Sequence, residues 1–219
     1  SDVYKRQDFF RLEGFFDDLE NEHQIVCKYQ LNKKKEFLQN GKAYDKFSEH
    51  IGRFPAVIIA PDDEKLISGY GEERRKFIDI SISQTDSTYL GHLIRYTKTL
   101  NQRNAALKKF AETKTWDATL IGTYDRQLAE SGTSIFETRK QFINKFEPVF
   151  SRLYQDISQG KEAVKPAYQS QLNNDKLDDL LKWRQQKDRA TQRTSCGIHK
   201  DDIELQLNGR PARKVASQG

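Results

Sequence analysis

The sequence predicts an α+β fold in which strands near both ends of the chain enclose a helical middle. Three observations carry the prediction. Segments rich in aromatic and β-branched residues, each followed by an Asn-Gly pair, occur near both ends, with the pairs at residues 40–41 and 208–209. Between them, two long stretches repeat apolar residues at spacings of three and four. The 219 residues are 36% apolar and 32% charged. That length can bury a proper core, and the low apolar share suits long, exposed amphipathic helices.

Residues 8–60 read as strand-rich. "DFFRLEGFF" and "HQIVCKYQL" flank the acidic turn "DDLENE". In "KKEFLQNGKAY", Asn40 and Gly41 supply the positive φ that a two-residue hairpin turn needs. "AVIIA", residues 56–60, follows Pro55 and is expected to be a strand buried on both faces. From Pro61 the pattern turns helical. "PDDEKLIS" carries acidic residues in a first turn, and "GEERRKFIDISISQ" follows a Gly-Tyr-Gly break. Asp86 is the expected N-cap of a helix whose stripe runs through Leu90, Leu93, Ile94, Thr97, Leu100, Asn104 and Leu107.

After "ETKT", a second stretch runs from Trp116 through Leu128 and Ile135 to Ile157 as a coiled-coil-like seam, imperfect at Ser131 and Arg139. Gly132 and Pro148 are expected to break or kink it. Two helices joined by a short link either pack antiparallel as a hairpin or stand as separate globular helices. Gly160 ends the stretch. "EAVKPAYQSQL" reads as a strand and "DKLDDLLKWRQQKDRATQR" as a charged helix with a narrow Leu/Trp stripe. "HKDDIELQLNGRPAR" alternates Ile203, Leu205 and Leu207 before turning at Asn208 and Gly209, a hairpin.

Composition narrows the function classes. A net charge of +5 suits a nucleic-acid partner without demanding one. Two distant cysteines, Cys27 and Cys196, argue against a disulfide framework and for a reducing, cytoplasmic setting. No run approaches the roughly 18 apolar residues of a membrane span. Methionine is absent, so the sequence is not expected to be a complete translation product. Residues 1–7, "SDVYKRQ", are expected to be foreign. One back-translation of them resembles a sequencing-adaptor end, and they are excluded from fold reasoning.

Few motifs carry chemistry by themselves. His23, His50, His92 and His199 are scattered without metal-ligand spacing, so no zinc site is expected. "QNGKAY" fails as a phosphate loop, because Ala43 replaces the magnesium-holding hydroxyl and Glu36 the first glycine. "GIHKDDIEL" gathers His199, Lys200, Asp201 and Asp202. Such a group can bind magnesium, act as acid and base, or be a solvated loop. Arg95, Lys98, Arg103, Lys108 and Lys109 offer cations on the first long helix, with Arg95 and Lys98 on one face. That face either tracks phosphates without reading bases or is ordinary solvated surface.

At "PDDEKLISGYGEERRKFID", residues 61–79, the sequence resembles the bacterial recombination and repair family RecF. Pro61, Asp62, Leu66, Ile67, Gly69, Arg74, Arg75, Phe77, Ile78 and Asp79 match its pattern, while Tyr70 and Gly71 depart from it. "LNQRNAALK", "WDATL" and "YDRQLAESG" look like the family's helical arm, and "QKDR" and "GIHKDDIEL" like the segment that returns to the head. "SQG", residues 217–219, looks like the start of its nucleotide-sensing signature motif.

The resemblance implies a partial ABC-type ATPase head of the SMC group, with an inserted helical second lobe. It divides the chain into head at 8–80, arm at 81–195 and return to the head at 196–219. It implies ATP and Mg2+ as cofactors of the full-length protein, with none held by this chain alone, since the phosphate loop and metal-binding strand are expected outside it. It also implies an ATP-dependent homodimer on DNA, with RecR, RecO and RecA as partners in gap repair. Ser217, Gln218 and Gly219 would then face the γ-phosphate of a second protomer, and Pro61 and Asp62 would lie near the nucleotide. The rival reading is a non-enzymatic helical interaction module of an SMC-like structural protein.

Overall fold

The structure, a computed structural model, describes residues 8–17, 20–33 and 35–212. Residues 1–7, expected to be foreign, and Ser217, Gln218 and Gly219, expected to open the signature motif, lie outside that set. The chain divides into two compact units, one reaching to Val57 and one beginning at Ile58.

The first unit is an antiparallel meander, β1 (Phe9–Asp17), β2 (Glu22–Gln30), β3 (Glu36–Gln39) and β4 (Lys42–Ala43), paired in that order. Asn40 at φ 49° and Gly41 at φ 78° make the expected tight turn between β3 and β4. Ile25 and Val26 of central β2 are buried. On the face carrying His23 and Phe37, Phe54 stacks on Phe16 at 4.6 Å and Phe47 packs edge-on against Phe37 at 4.7 Å.

One strand expectation fails. Residues 56–60 form no strand, and Val57, Ile58 and Ile59 are 85–90% exposed. An apolar run becomes a doubly buried strand only between two others, and local sequence cannot supply those neighbours.

In the second unit, a 3-10 turn (Pro61–Glu64) leads into α1 (Lys65–Ser68) and α2 (Gly71–Ser83). Two long helices follow, α3 (Ser87–Thr113) and α4 (Ala118–Ser158). Asp86 caps α3 by accepting from Tyr89 N, and Asp117 caps α4 by accepting from Leu120 N. Cross-helix bonds run from Thr99 to Gln127 and from Arg139 to Tyr89, so α3 and α4 pack antiparallel as a hairpin.

The inward stripe of α3 is rotated from the expected one. Tyr89, Tyr96, Arg103 and Leu107 are buried, whereas Ile94 and Thr97 are exposed. Nor does α4 break. It runs unbroken through Gly132 and Pro148. Gly132 is there for packing, since a Cβ on it would lie 2.5 Å from Leu177 Cδ2 and 3.0 Å from Tyr96 Cε2.

Helix α5 (Leu177–Thr191) buries Leu177, Leu180 and Leu181, but Trp183 is 67% exposed and stands outside the stripe. A three-stranded antiparallel sheet, β5 (Val164–Gln169), β6 (Asp202–Leu207) and β7 (Arg210–Pro211), completes the unit. Pro166 is tolerated because β5 is an edge strand. Asn208 and Gly209, at φ 48° and 76°, repeat the turn chemistry seen at residues 40–41. Sheets toward both ends with helices between them match the α+β expectation.

Ile78 and Ile82 of α2, and Ile198 and Ile203 near β6, share one core with Tyr96, Leu128, Ile135 and Leu181 of the helices. All of these residues, on both sides of positions 80 and 195, belong to the unit that begins at Ile58.

Candidate functional site

The two motif segments, 61–79 and 197–205, meet in space. The Arg74 guanidinium is a fork that suits a carboxylate. It donates from Nε to Asp202 Oδ1 at 2.8 Å and from Nη2 to Asp202 Oδ2 at 2.9 Å. Its Nη1 donates to the carbonyls of Leu66 and Gly69 at 2.9 and 3.1 Å. Arg75 donates to the Asp201 carbonyl. Burial opposes ionisation of Asp202, but the Arg74 fork outweighs it and holds this carboxyl below its ordinary range.

Deeper in, Arg139 of α4 binds four groups. It donates to both oxygens of Asp79 at 3.0 Å, to Tyr89 Oη at 3.1 Å, to the Ile198 carbonyl at 2.9 Å and to Asp201 Oδ2 at 3.3 Å. Tyr168 and Tyr89 donate their hydroxyls to Asp201 and Asp79. Burial raises Asp201 above the usual carboxylate range, against the pull of Tyr168 and Arg139. It raises both tyrosines as well, so they remain donors.

His199 is also locked in place. Its Nδ1 lies 2.9 Å from Tyr96 Oη and its Nε2 3.2 Å from the Thr194 carbonyl. Burial lowers its pKa to about 4, so the ring is neutral, accepting at Nδ1 and donating from Nε2. Gly197, at φ 114°, leaves room for the tyrosine. A Cβ there would meet Tyr96 Oη at 2.5 Å.

"HKDD" therefore does not form an open acid–base or metal cluster. Asp201 and Asp202 are occupied by arginines, Lys200 is exposed, and no group of three metal-ligating side chains exists among the described residues. Pro61 opens the 3-10 turn, and the exposed Asp62 pairs with Lys65 at 2.8 Å, which lowers its pKa. These carboxylates do not fit a magnesium ion.

Among the candidate DNA-facing cations, Arg95 and Lys98 are exposed on α3, with Arg95 only 3.5 Å from the equally exposed Glu130. Arg103 requires correction. It is fully buried, donating to Asp125 at 2.6 Å, Asp188 at 2.7 Å and Thr194 at 2.9 Å, and cannot meet a phosphate. Its place on the inward stripe, next to Tyr96 and Leu107, was the available signal. Arg139 was the same signal on α4. A charge on a core seam demands a buried counter-charge.

No family model matches the chain. Among curated proteins, it is 46% identical over 213 residues to the DNA replication and repair protein RecF of Flavobacterium johnsoniae, covering 97% of this chain and 59% of that protein. Along nearly its whole length it is similar to RecF proteins. RecF of Parabacteroides distasonis is 41% identical over 213 residues, across 97% of this chain and 57% of the relative. The chain thus spans just under three fifths of the length of these RecF proteins.

Among solved structures, the recombination mediator protein RecF with ATP, of the RecFOR pathway, superposes with a TM-score of 0.88 at 28% identity, over 96% of this chain and 58% of that one. RecF-ATPrS of the same pathway gives 0.87 at 29% identity, over 98% of this chain and 60% of that one.

Proposed function

We propose that this chain is part of an ATP-dependent DNA-binding protein that acts in replication and recombinational repair, with RecR and RecO, to help load RecA at single-strand gaps during the SOS response. The similarity to RecF proteins along 97% of the chain is the observation that carries this reading. In it, residues 8–80 and 196–219 belong to an ATPase head and 81–195 to a helical arm. Two protomers close on ATP in the cytoplasm, and ATP and Mg2+ serve the full-length protein.

The chain's own contribution is to the opposite side of the nucleotide. Ser217 would cap a helix that begins just beyond it, and its hydroxyl, with backbone N–H groups near Gly219, would face the γ-phosphate. Gln218 would lie between them, and Gly219 would let the backbone approach closely. The helix dipole favours an anion at such a terminus. Pro61 and Asp62 would lie on the nucleotide-facing side of the head. The exposed Arg95 and Lys98 would meet DNA phosphates without reading bases.

The test is binding of the full-length protein to gapped DNA, with and without ATP, across a salt series. Affinity should require ATP and fall with salt. Arg95→Glu with Lys98→Glu should flatten the log–log salt slope by about 2, one unit per lost phosphate contact. ATP-independent binding would refute the function, and an unchanged slope would refute this face.

A further inference from the structure

We propose that Arg74 is a positioning residue that makes the Pro61–Gly69 turn and strand β6 move as one piece, so that one side of the ATP site is tied mechanically to the strand that leads on to Ser217. This rests on the ATP-bridged dimer proposed above and names the tie within it. The argument is geometric. One guanidinium spends two donors on the Asp202 carboxylate at the start of β6 and two on carbonyls, Leu66 and Gly69, in the turn that follows Pro61 and Asp62. Arg74 and Asp202 are 128 residues apart in the chain, and among the described residues the turn and β6 share no backbone strand pairing.

The contact is close because Gly71 has no side chain. A Cβ there would lie 2.9 Å from Asp202 Cγ and 2.8 Å from Arg75 Nη1. Arg75 adds a second tie, to the Asp201 carbonyl. A pair that served only stability would need neither of the turn carbonyls. Here the same planar group sets the shape of the turn and fastens it to β6. A lysine, a single point charge on a flexible stem, cannot serve both sides. In the sequence, β6 and β7 directly precede the segment that carries residues 217–219.

The experiment compares the full-length wild-type protein with Arg74→Gln, Arg74→Lys and Asp202→Asn. ATP-dependent dimerisation is followed by sedimentation, binding of a fluorescent ATP analogue by anisotropy, and folding by thermal melts. Asp202→Asn leaves the turn carbonyls bonded and weakens only the tie to β6, so it isolates the coupling.

All three variants should lose ATP-driven dimerisation by about tenfold or more, a change larger than any in analogue affinity and out of proportion to the shift in melting. Normal dimerisation in a folded Asp202→Asn protein overturns the role, as does loss that merely tracks thermal stability. If the wild type itself does not dimerise with ATP, the underlying reading fails, and the inference fails with it.

Discussion

The neutrality of His199 makes stability depend on pH in a window that can be calculated. An unfolded histidine titrates near 6.5, whereas burial among Tyr96, Thr194 and the core holds His199 at about 4. Lys200 and Arg75 depress it further, and Asp188 opposes them. Because the folded pKa is lowered, the unfolded state binds the proton more tightly. The stabilisation is complete above about pH 6.5 and is lost as pH falls towards 4. About 2.5 pH units of linkage correspond to roughly 3 kcal/mol, a large fraction of a domain's stability.

His199→Gln removes the titration while keeping an acceptor for Tyr96 and a donor for Thr194. Asp125 and Asp201, both raised by burial, are common to the two proteins and cancel in the comparison. Urea unfolding of the chain, followed by far-UV circular dichroism at pH 7, 5.5 and 4.5, reads the difference. Wild type should lose about 2–3 kcal/mol relative to the variant over that range. Parallel stability curves would refute the neutral assignment.

Arg139→Met should cost about 3–5 kcal/mol in urea melts, because it strands Asp79 and the fully buried Asp201 without their cation. A loss below 1 kcal/mol would mean that the cluster is held by its tyrosines instead. Gly132→Val should destabilise by about 1–3 kcal/mol despite valine's better helix propensity, since the new methyls enter the space of Leu177 and Tyr96. Stabilisation would show that the α4–α5 contact is loose. The chain by itself should turn over no ATP, because "QNGKAY" lacks the glycine and hydroxyl of a phosphate loop. Turnover by protein free of contaminating ATPase would contradict that.

What the sequence alone determined lies within short reach along the backbone. The Asn-Gly turns follow from the positive φ those residues accept, and Asp86 caps because a carboxylate three residues upstream meets a free helix N–H. The long helices follow from apolar periodicity, which a single Gly or Pro did not outweigh in α4. The order of motifs along the chain was enough to suggest RecF.

Tertiary structure alone decided which charges are solvated. Arg95 and Arg103 lie two turns apart on one helix, yet one is exposed and the other fully buried, because α4 and α5 bring Asp125 and Asp188 to the second. "AVIIA" forms no strand for the same kind of reason. "HKDD" became a structural clamp only when Arg74, Arg75 and Arg139 arrived from 62 to 128 residues away. Local rules act across a turn or two, whereas the cost of burying a charge is settled by whatever distant segment packs beside it.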